Sequence, residues 1–167
     1  MGIETLNDVL YKDAKKLGAC DKVMGKWQGL YNMPMLIALF KSNQEFCIEK
    51  DFPSVEFIQT NTRVDERTKD GLFVNDKVAV HDYSGTIVTL GNSCGFIIAD
   101  SYDVQTLYIR HNSDLHISCK GFAKLYINVY DNAKVTIEQS EMSKVYVYRY
   151  GEKSKIETEG DIIFHQK

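Results

Sequence analysis

Gly91-Asn92-Ser93-Cys94-Gly95 is a literal G-x-S-x-G, the pattern of the nucleophile elbow in serine hydrolases. Its chemistry would be acyl transfer from Ser93, which needs a strand before the serine and a helix after it to support the oxyanion hole. Here the strand-like Phe96-Ile97-Ile98-Ala99 follows, and Asn-Ser recurs at Asn112-Ser113 without either glycine. The motif therefore reads as a turn, and Ser93→Ala is expected to leave the fold and any activity intact. A second group, His111, Asp114 and His116 with Arg110 beside them, has the residue types for an acid-base pair and an anion contact. Those residues fall on a turn and on alternating strand positions, where polar side chains stand in solvent anyway. No further His, Cys or carboxylate arrives at metal-ligand spacing. The reading is a non-enzymatic protein with no catalytic residue, no metal and no cofactor.

These residues are positioned by a repeat of twenty. Gly91-Asn92-Ser93 recurs as His111-Asn112-Ser113, Asp131-Asn132-Ala133 and Gly151-Glu152-Lys153. Extended segments precede each turn (86–90, 106–110, 126–130, 146–150) and follow it (96–98, 115–118, 135–138, 156–159). Self-similarity at this period marks stacked units, none of which can bury its apolar face alone. Lys77-Val78-Ala79-Val80-His81 matches Lys134-Val135-Thr136-Ile137-Glu138, so a half rung is expected ahead of the four clear ones. Asn92, Asn112 and Asn132 should then stack in successive coils. Leu107, Ile109, Ile127, Val129 and Val147 alternate inward, and the repeat also stacks Lys124 with Lys144 and Asp114 with Lys134.

The first sixty residues have a different period. Leu6, Val9, Leu10, Ala14 and Leu17 recur at helical spacing, and Gly18 stops that helix. Asp21 is placed to cap a short second helix reaching Trp27, read as a core anchor. Pro34 suits the first turn of a third, Ser42 or Asn43 breaks or recaps it, and Ser54 caps one more turn. The fold class is α+β: an N-terminal helical module (1–61), a polar linker (62–71), and a short β-solenoid (72–167) of about four to five rungs. The helices are expected to act as a cap on the first rung or as a partner-binding module.

Composition excludes several classes. The 167 residues carry a net charge of −3 and 44% hydrophobic residues, which fits a folded domain without a basic face for duplex nucleic acid. Cys20, Cys47, Cys94 and Cys119 form no C-x-x-C pair and read as reduced, buried thiols. The opening Met1-Gly2-Ile3-Glu4-Thr5-Leu6 has neither a secretory pattern nor a myristoylation site. The longest apolar run, 33–40, is far short of the roughly 20 residues that span a bilayer. A cytoplasmic protein without membrane contact is expected.

Glu45-Phe46-Cys47-Ile48-Glu49-Lys50-Asp51-Phe52-Pro53-Ser54, Gly71-Leu72-Phe73-Val74, Leu107-Tyr108-Ile109-Arg110-His111 and Val129-Tyr130-Asp131-Asn132-Ala133-Lys134-Val135 carry a resemblance. Over most of the chain it resembles an uncharacterised family of small proteins from gut bacteria and their phages or mobile elements. The resemblance implies a phage-associated context and brings no activity or site residue.

The outward columns are rich in tyrosine: Tyr108 and Tyr148 with Asn128, Tyr126 with Tyr146, and Tyr130 with Tyr150. Arg110, Arg149 and His111 lie close in sequence, and aromatic and Arg enrichment is the composition of interface hot spots. The leading reading is self-association through this face as a homo-oligomer, a dimer or trimer, with another protein as a further partner. The alternative is a small ligand, a nucleotide or glycan, sequestered on the same rings.

Overall fold

The computed structural model describes residues 2–27, 32–81 and 83–167, in two compact units that divide between Asp70 and Gly71. In the first unit, α1 (Ile3–Lys16), α2 (Asp21–Gly25), α3 (Met33–Ser42), α4 (Gln44–Lys50), α5 (Val55–Asn61) and α6 (Val64–Lys69) follow one another. Leu6, Leu10, Ala14, Met24, Trp27, Leu36 and Leu39 form its core, with Trp27 set edge-on to Tyr11 at 6.1 Å. Gly18 takes a φ of +86° just past α1. Asn32 caps α3 by accepting from Met35 N (3.0 Å), and Ser54 caps α5 by accepting from Phe57 N (3.2 Å). The N-cap of α2 is Cys20, so Asp21 lies one position inside, in the first turn.

The stretch 62–71 is not a plain linker, because α6 occupies most of it. The helix VDERTK has no apolar stripe to betray it in sequence. It is held by charge placement instead, with Asp65 and Glu66 in its first turn and Arg67 and Lys69 in its last. Arg67 is buried, and its guanidinium donates to Thr62 O at 3.1 Å.

The second unit is a parallel β-solenoid built from β1 (Leu72–Val74), β2 (Lys77–Val80), β3 (Gly85–Leu90), β4 (Cys94–Ala99), β5 (Val104–Ile109), β6 (Asp114–Cys119), β7 (Lys124–Val129), β8 (Lys134–Gln139), β9 (Lys144–Arg149), β10 (Lys155–Glu159) and β11 (Ile162–Gln166). Odd strands make a six-stranded sheet and even strands a five-stranded one. Each coil is therefore two six-residue strands and two four-residue corners, so the twenty-residue repeat is a ten-residue pattern used twice. β1 and β2 together make a complete short coil where half a rung was expected. The coil offset is sixteen residues for Leu72↔Val88, twenty for Cys94↔Asp114 and twenty-one for Lys134↔Lys155.

Inward columns from both sheets meet in one core, among them Ile87-Leu107-Ile127-Val147 and Ile97-Ile117-Ile137, all fully buried. Cys47 and Cys119 are buried, whereas Cys20 and Cys94 are exposed, so only two of the four thiols match the buried reading. The first corner line stacks as expected. Asn112 Nδ2 donates to Asn92 Oδ1 at 3.3 Å, Asn132 Nδ2 to Asn112 Oδ1 at 3.4 Å, and Asn92 N to Asn75 Oδ1 at 2.8 Å.

Corners need a left-handed residue, which Gly91, Gly121 and Gly151 supply at three of them and non-glycine residues at the others. His111, Asp131, Ser101 and Glu141 take φ values of +58°, +55°, +52° and +59°. Side chains one coil on also bind N–H groups of the preceding corner. Gly91 N donates to His111 Nδ1 (3.0 Å), His111 N to Asp131 Oδ2 (2.9 Å), and Gly121 N to Glu141 Oε2 (2.9 Å).

Gly95 is required by space as well as angle, since at φ +144° a Cβ would lie 1.9 Å from the Val78 carbonyl oxygen. Gly95→Ala is expected to destabilise by more than about 3 kcal/mol. Gly151→Ala meets no atom within 4 Å, has only the φ of +82° against it, and should cost about 1–2 kcal/mol. Paired thermal melts check the order.

Candidate functional site

The surface with the densest functional side chains is the outward face of the six-stranded sheet. In-register parallel pairing sets Tyr126 beside Tyr146 and Asn128 between Tyr108 and Tyr148. With strands roughly 4.8 Å apart, like residues on neighbouring strands are driven ring on ring. Tyr126 and Tyr146 stack at 5.2 Å, Tyr130 and Tyr150 at 4.3 Å, and Tyr148 with His165 at 4.9 Å, each pair within 13° of parallel. Asn128 interrupts its column and donates to Leu107 O at 3.2 Å. Lys124 Nζ lies 5.3 Å and 5.5 Å from the centres of the Tyr126 and Tyr146 rings, and Lys167 Nζ lies 5.8 Å from that of Tyr148.

The stacking uses up ring faces, so this half-buried surface offers phenol hydroxyls and ammonium groups rather than open platforms. Burial, and next the proximity of Tyr150, push the Tyr130 hydroxyl far above the usual phenol range; the same two causes raise Tyr108. Both phenols stay protonated and remain hydrogen-bond donors.

Tyr108, Tyr126, Tyr146 and Tyr148 share this face, Tyr130 and Tyr150 stack at the corner just past β7 and β9, and the other sequence candidates do different work. Arg149 ends β9 on an inward column, paired in register with Val129. Its guanidinium clamps the next corner through Ser154 Oγ (3.1 Å), Ser154 O (2.6 Å) and Glu152 O (2.6 Å). His111 is a corner residue whose imidazole accepts from Gly91 N. Arg110 is buried at the same corner, 4% exposed. Asp114 and His116 both face outward on β6, but Asp114 faces Lys134 at 3.9 Å and His116 faces Glu138 at 3.3 Å, while His111 is taken up by the Gly91 corner.

Ser93 is fully buried, donates to Leu90 O (2.8 Å) and accepts from Asp76 N (3.2 Å); β4, not a helix, follows it. It is a corner lock. Removing a buried hydroxyl with two partners costs about 1–2 kcal/mol, so Ser93→Ala is not the silent change the sequence reading expects. Among the described residues, no group of three or more His, Cys, Asp or Glu could hold a metal ion, and no helix is long and apolar enough to cross a membrane.

Sequence reasoning missed one set of residues. Tyr102, Phe122 and Met142 lie at successive twenty-residue steps on the second line of corners, and Tyr102 stacks on Phe122 at 5.3 Å and 7°. The signal was the same period, applied ten residues further on.

The chain matches no family model, no curated protein and no solved structure. The fold defines its class, a helical unit followed by a two-sheet parallel β-solenoid of about five coils.

Two outcomes follow. A fluorophosphonate probe should leave Ser93 unlabelled in the folded chain and label it no faster than other serines after unfolding. The raised Tyr130 hydroxyl sets an alkaline limit. Below about pH 10 folded and unfolded chains both keep the proton; above it the unfolded chain ionises first, and stability falls as pH climbs toward the folded value. Tyr130→Phe should flatten that fall in melting temperature while leaving the neutral-pH profile parallel to wild type.

Proposed function

We propose that this chain is a non-enzymatic binding protein that holds a small, acceptor-rich anionic ligand, of the class that includes nucleotides and acidic glycans, on its tyrosine face. The observation that carries the reading is an asymmetry of charge. Outward positions of β5, β7, β9 and β11 hold Val104, Thr106, Tyr108, Lys124, Tyr126, Asn128, Lys144, Tyr146, Tyr148, Ile163 and His165 with no carboxylate among them. The opposite sheet mixes Asp114, Glu138, Glu157 and Glu159 with Lys77, Lys134 and Lys155 on its outward positions, so only the tyrosine face is without carboxylates along its strands. Hydroxyl, amide and ammonium donors without a carboxylate on the same strands complement phosphate, sulfate or carboxylate oxygens. The free area between β7 and β11 is roughly 10–15 Å by 20 Å, the footprint of a nucleotide or a short oligosaccharide.

Self-association through the same face, the leading reading from sequence, finds less support. Two copies laid face to face would bring the ammonium groups of Lys124, Lys144 and Lys167 from both sides onto strands that carry no carboxylate, with Glu141 and Asp161 only at the margin beside Lys144.

Calorimetric titration with ATP and with a heparin-derived hexasaccharide tests the reading. At least one should bind with an affinity that falls as salt is raised. Lys124→Ala with Lys144→Ala should weaken it about tenfold, roughly 1.4 kcal/mol, and Tyr126→Phe with Tyr146→Phe should weaken it while keeping the ring stack. Silence toward both probes, or binding indifferent to all four substitutions, overturns it.

A further inference from the structure

The most exposed large apolar side chains of the molecule stand on one line. Tyr102 is 79% exposed, Met142 68% and Phe122 58%, and Val104, beside the ladder at the start of β5, is 52% exposed. They project from the second corner line, at Tyr102 and at each twentieth residue after it. Shallow depressions flank the ladder on both sides. One, of about 400 Å³, is lined by Asp100, Tyr102, Lys120, Phe122 and Glu141; the other, of about 380 Å³, by Met142, Lys144, Tyr146, Asp161 and Ile163. Val104, Lys144, Tyr146 and Ile163 also stand on outward positions of the ligand face, whereas the corner side chains Tyr102, Phe122 and Met142 do not.

We infer that a second copy of this chain docks on the ladder, edge to edge and antiparallel, about a two-fold axis through Phe122. An isologous contact requires a surface complementary to itself, and a three-step ladder with its middle residue on the axis meets that requirement. Phe122 packs on the partner copy's equivalent ring, while Tyr102 packs on the equivalent of Met142 and the reverse, a sulfur-aromatic contact made twice.

Charge selects the antiparallel arrangement over the parallel one. A parallel two-fold sets Asp100, Asp103, Glu141 and Lys144 each against its own copy. The antiparallel two-fold turns the upper rung, with Asp100 and Asp103, toward the lower rung, where Lys144 stands beside Glu141, so that mixed charges rather than like ones meet. Area agrees. With about 150–250 Å² available per aromatic side chain and the exposures above, the ladder and Val104 offer roughly 400–500 Å² per copy. Across the axis that approaches the ~1,000 Å² a specific interface needs, before flanking polar residues are added.

The test is sedimentation of the full chain with the on-axis residue changed. Wild type should sediment at twice the 19.1 kDa chain mass at tens of micromolar. Phe122→Asp and Phe122→Lys, at an exposed corner that leaves circular dichroism unchanged, should each sediment as monomers. Mixed one to one, they should re-form a dimer, which only a contact of residue 122 with itself can produce. Orientation is read by oxidative cross-linking after Cys20→Ser and Cys94→Ser. Tyr102→Cys should cross-link to Met142→Cys and not to itself. A wild-type monomer, a dimer untouched by Phe122→Asp, or self-linking of Tyr102→Cys each overturns the inference. Dimerisation and ligand binding fail separately, because Phe122→Asp lies off the tyrosine face and should leave ATP and hexasaccharide titrations as in wild type.

Discussion

In-register parallel stacking, which sets most side chains on the residue twenty positions earlier, is the constraint on which the second unit depends. It makes Ile87, Leu107, Ile127 and Val147 one continuous apolar column. It also makes one unpaired polar group recur as a line of them. The chain answers with repeated remedies: an asparagine ladder along one corner and side chains that reach one coil back to bind corner N–H groups. Where two coils come too close for any side chain, the answer is Gly95 against the Val78 carbonyl. Irregularity is confined to the ends, where the offsets depart from twenty at Leu72↔Val88, Val145↔Ile162 and Lys134↔Lys155.

The same constraint governs what kind of site the unit can carry. Catalysis needs unlike groups converging on one point from different elements. A stacked coil produces lines of like groups, and lines present surfaces. His116 and Glu138, Asp114 and Lys134, and Tyr126 and Tyr146 are each neighbours because of the offset, and each pair is repeated or solvated rather than enclosed. Several of the buried serines close corners: Ser93, Ser143 and Ser154 all hydrogen-bond within the turn they close.

Much of this was legible. The recurrence of Asn92, Asn112 and Asn132 gives the coil, and alternation along 106–110, 126–130 and 146–150 gives the tyrosine columns. What sequence could not supply is which polar residues the corners would consume. Arg149 follows Tyr148 and resembles another member of an aromatic-basic face, yet alternation turns it inward, where the end of β9 lets it clamp the 152–154 backbone. His111 looks like a free imidazole until its left-handed backbone and its bond from Gly91 N are seen. The second corner line stayed hidden because its residues, Ser101-Tyr102, Gly121-Phe122 and Glu141-Met142, share a conformation and no residue type. α6 stayed hidden for the opposite reason, having charge at its ends and no apolar period between them.

Stacking acts identically on the rings of the sheet and of the corner, yet it leaves them in different states, and the difference divides the surface by task. On the sheet each ring is bounded along its own strand by side chains two residues away, as Tyr126 is by Lys124 and Asn128. Its apolar faces are covered within the chain and only the hydroxyl end remains outside, which favours polar recognition. At the convex corner a ring has a neighbour above or below and none beside it. Tyr102 and Phe122 stack as closely in angle as any pair on the sheet and still stay 79% and 58% exposed. Apolar surface left open in that way is stabilised most by another copy of the same edge, because burial is repeated on both sides of the axis at no extra loss of internal contact. On the readings proposed above, the ladder is the surface for assembly, and the tyrosine face, with its rings stacked on one another, is the surface for a ligand.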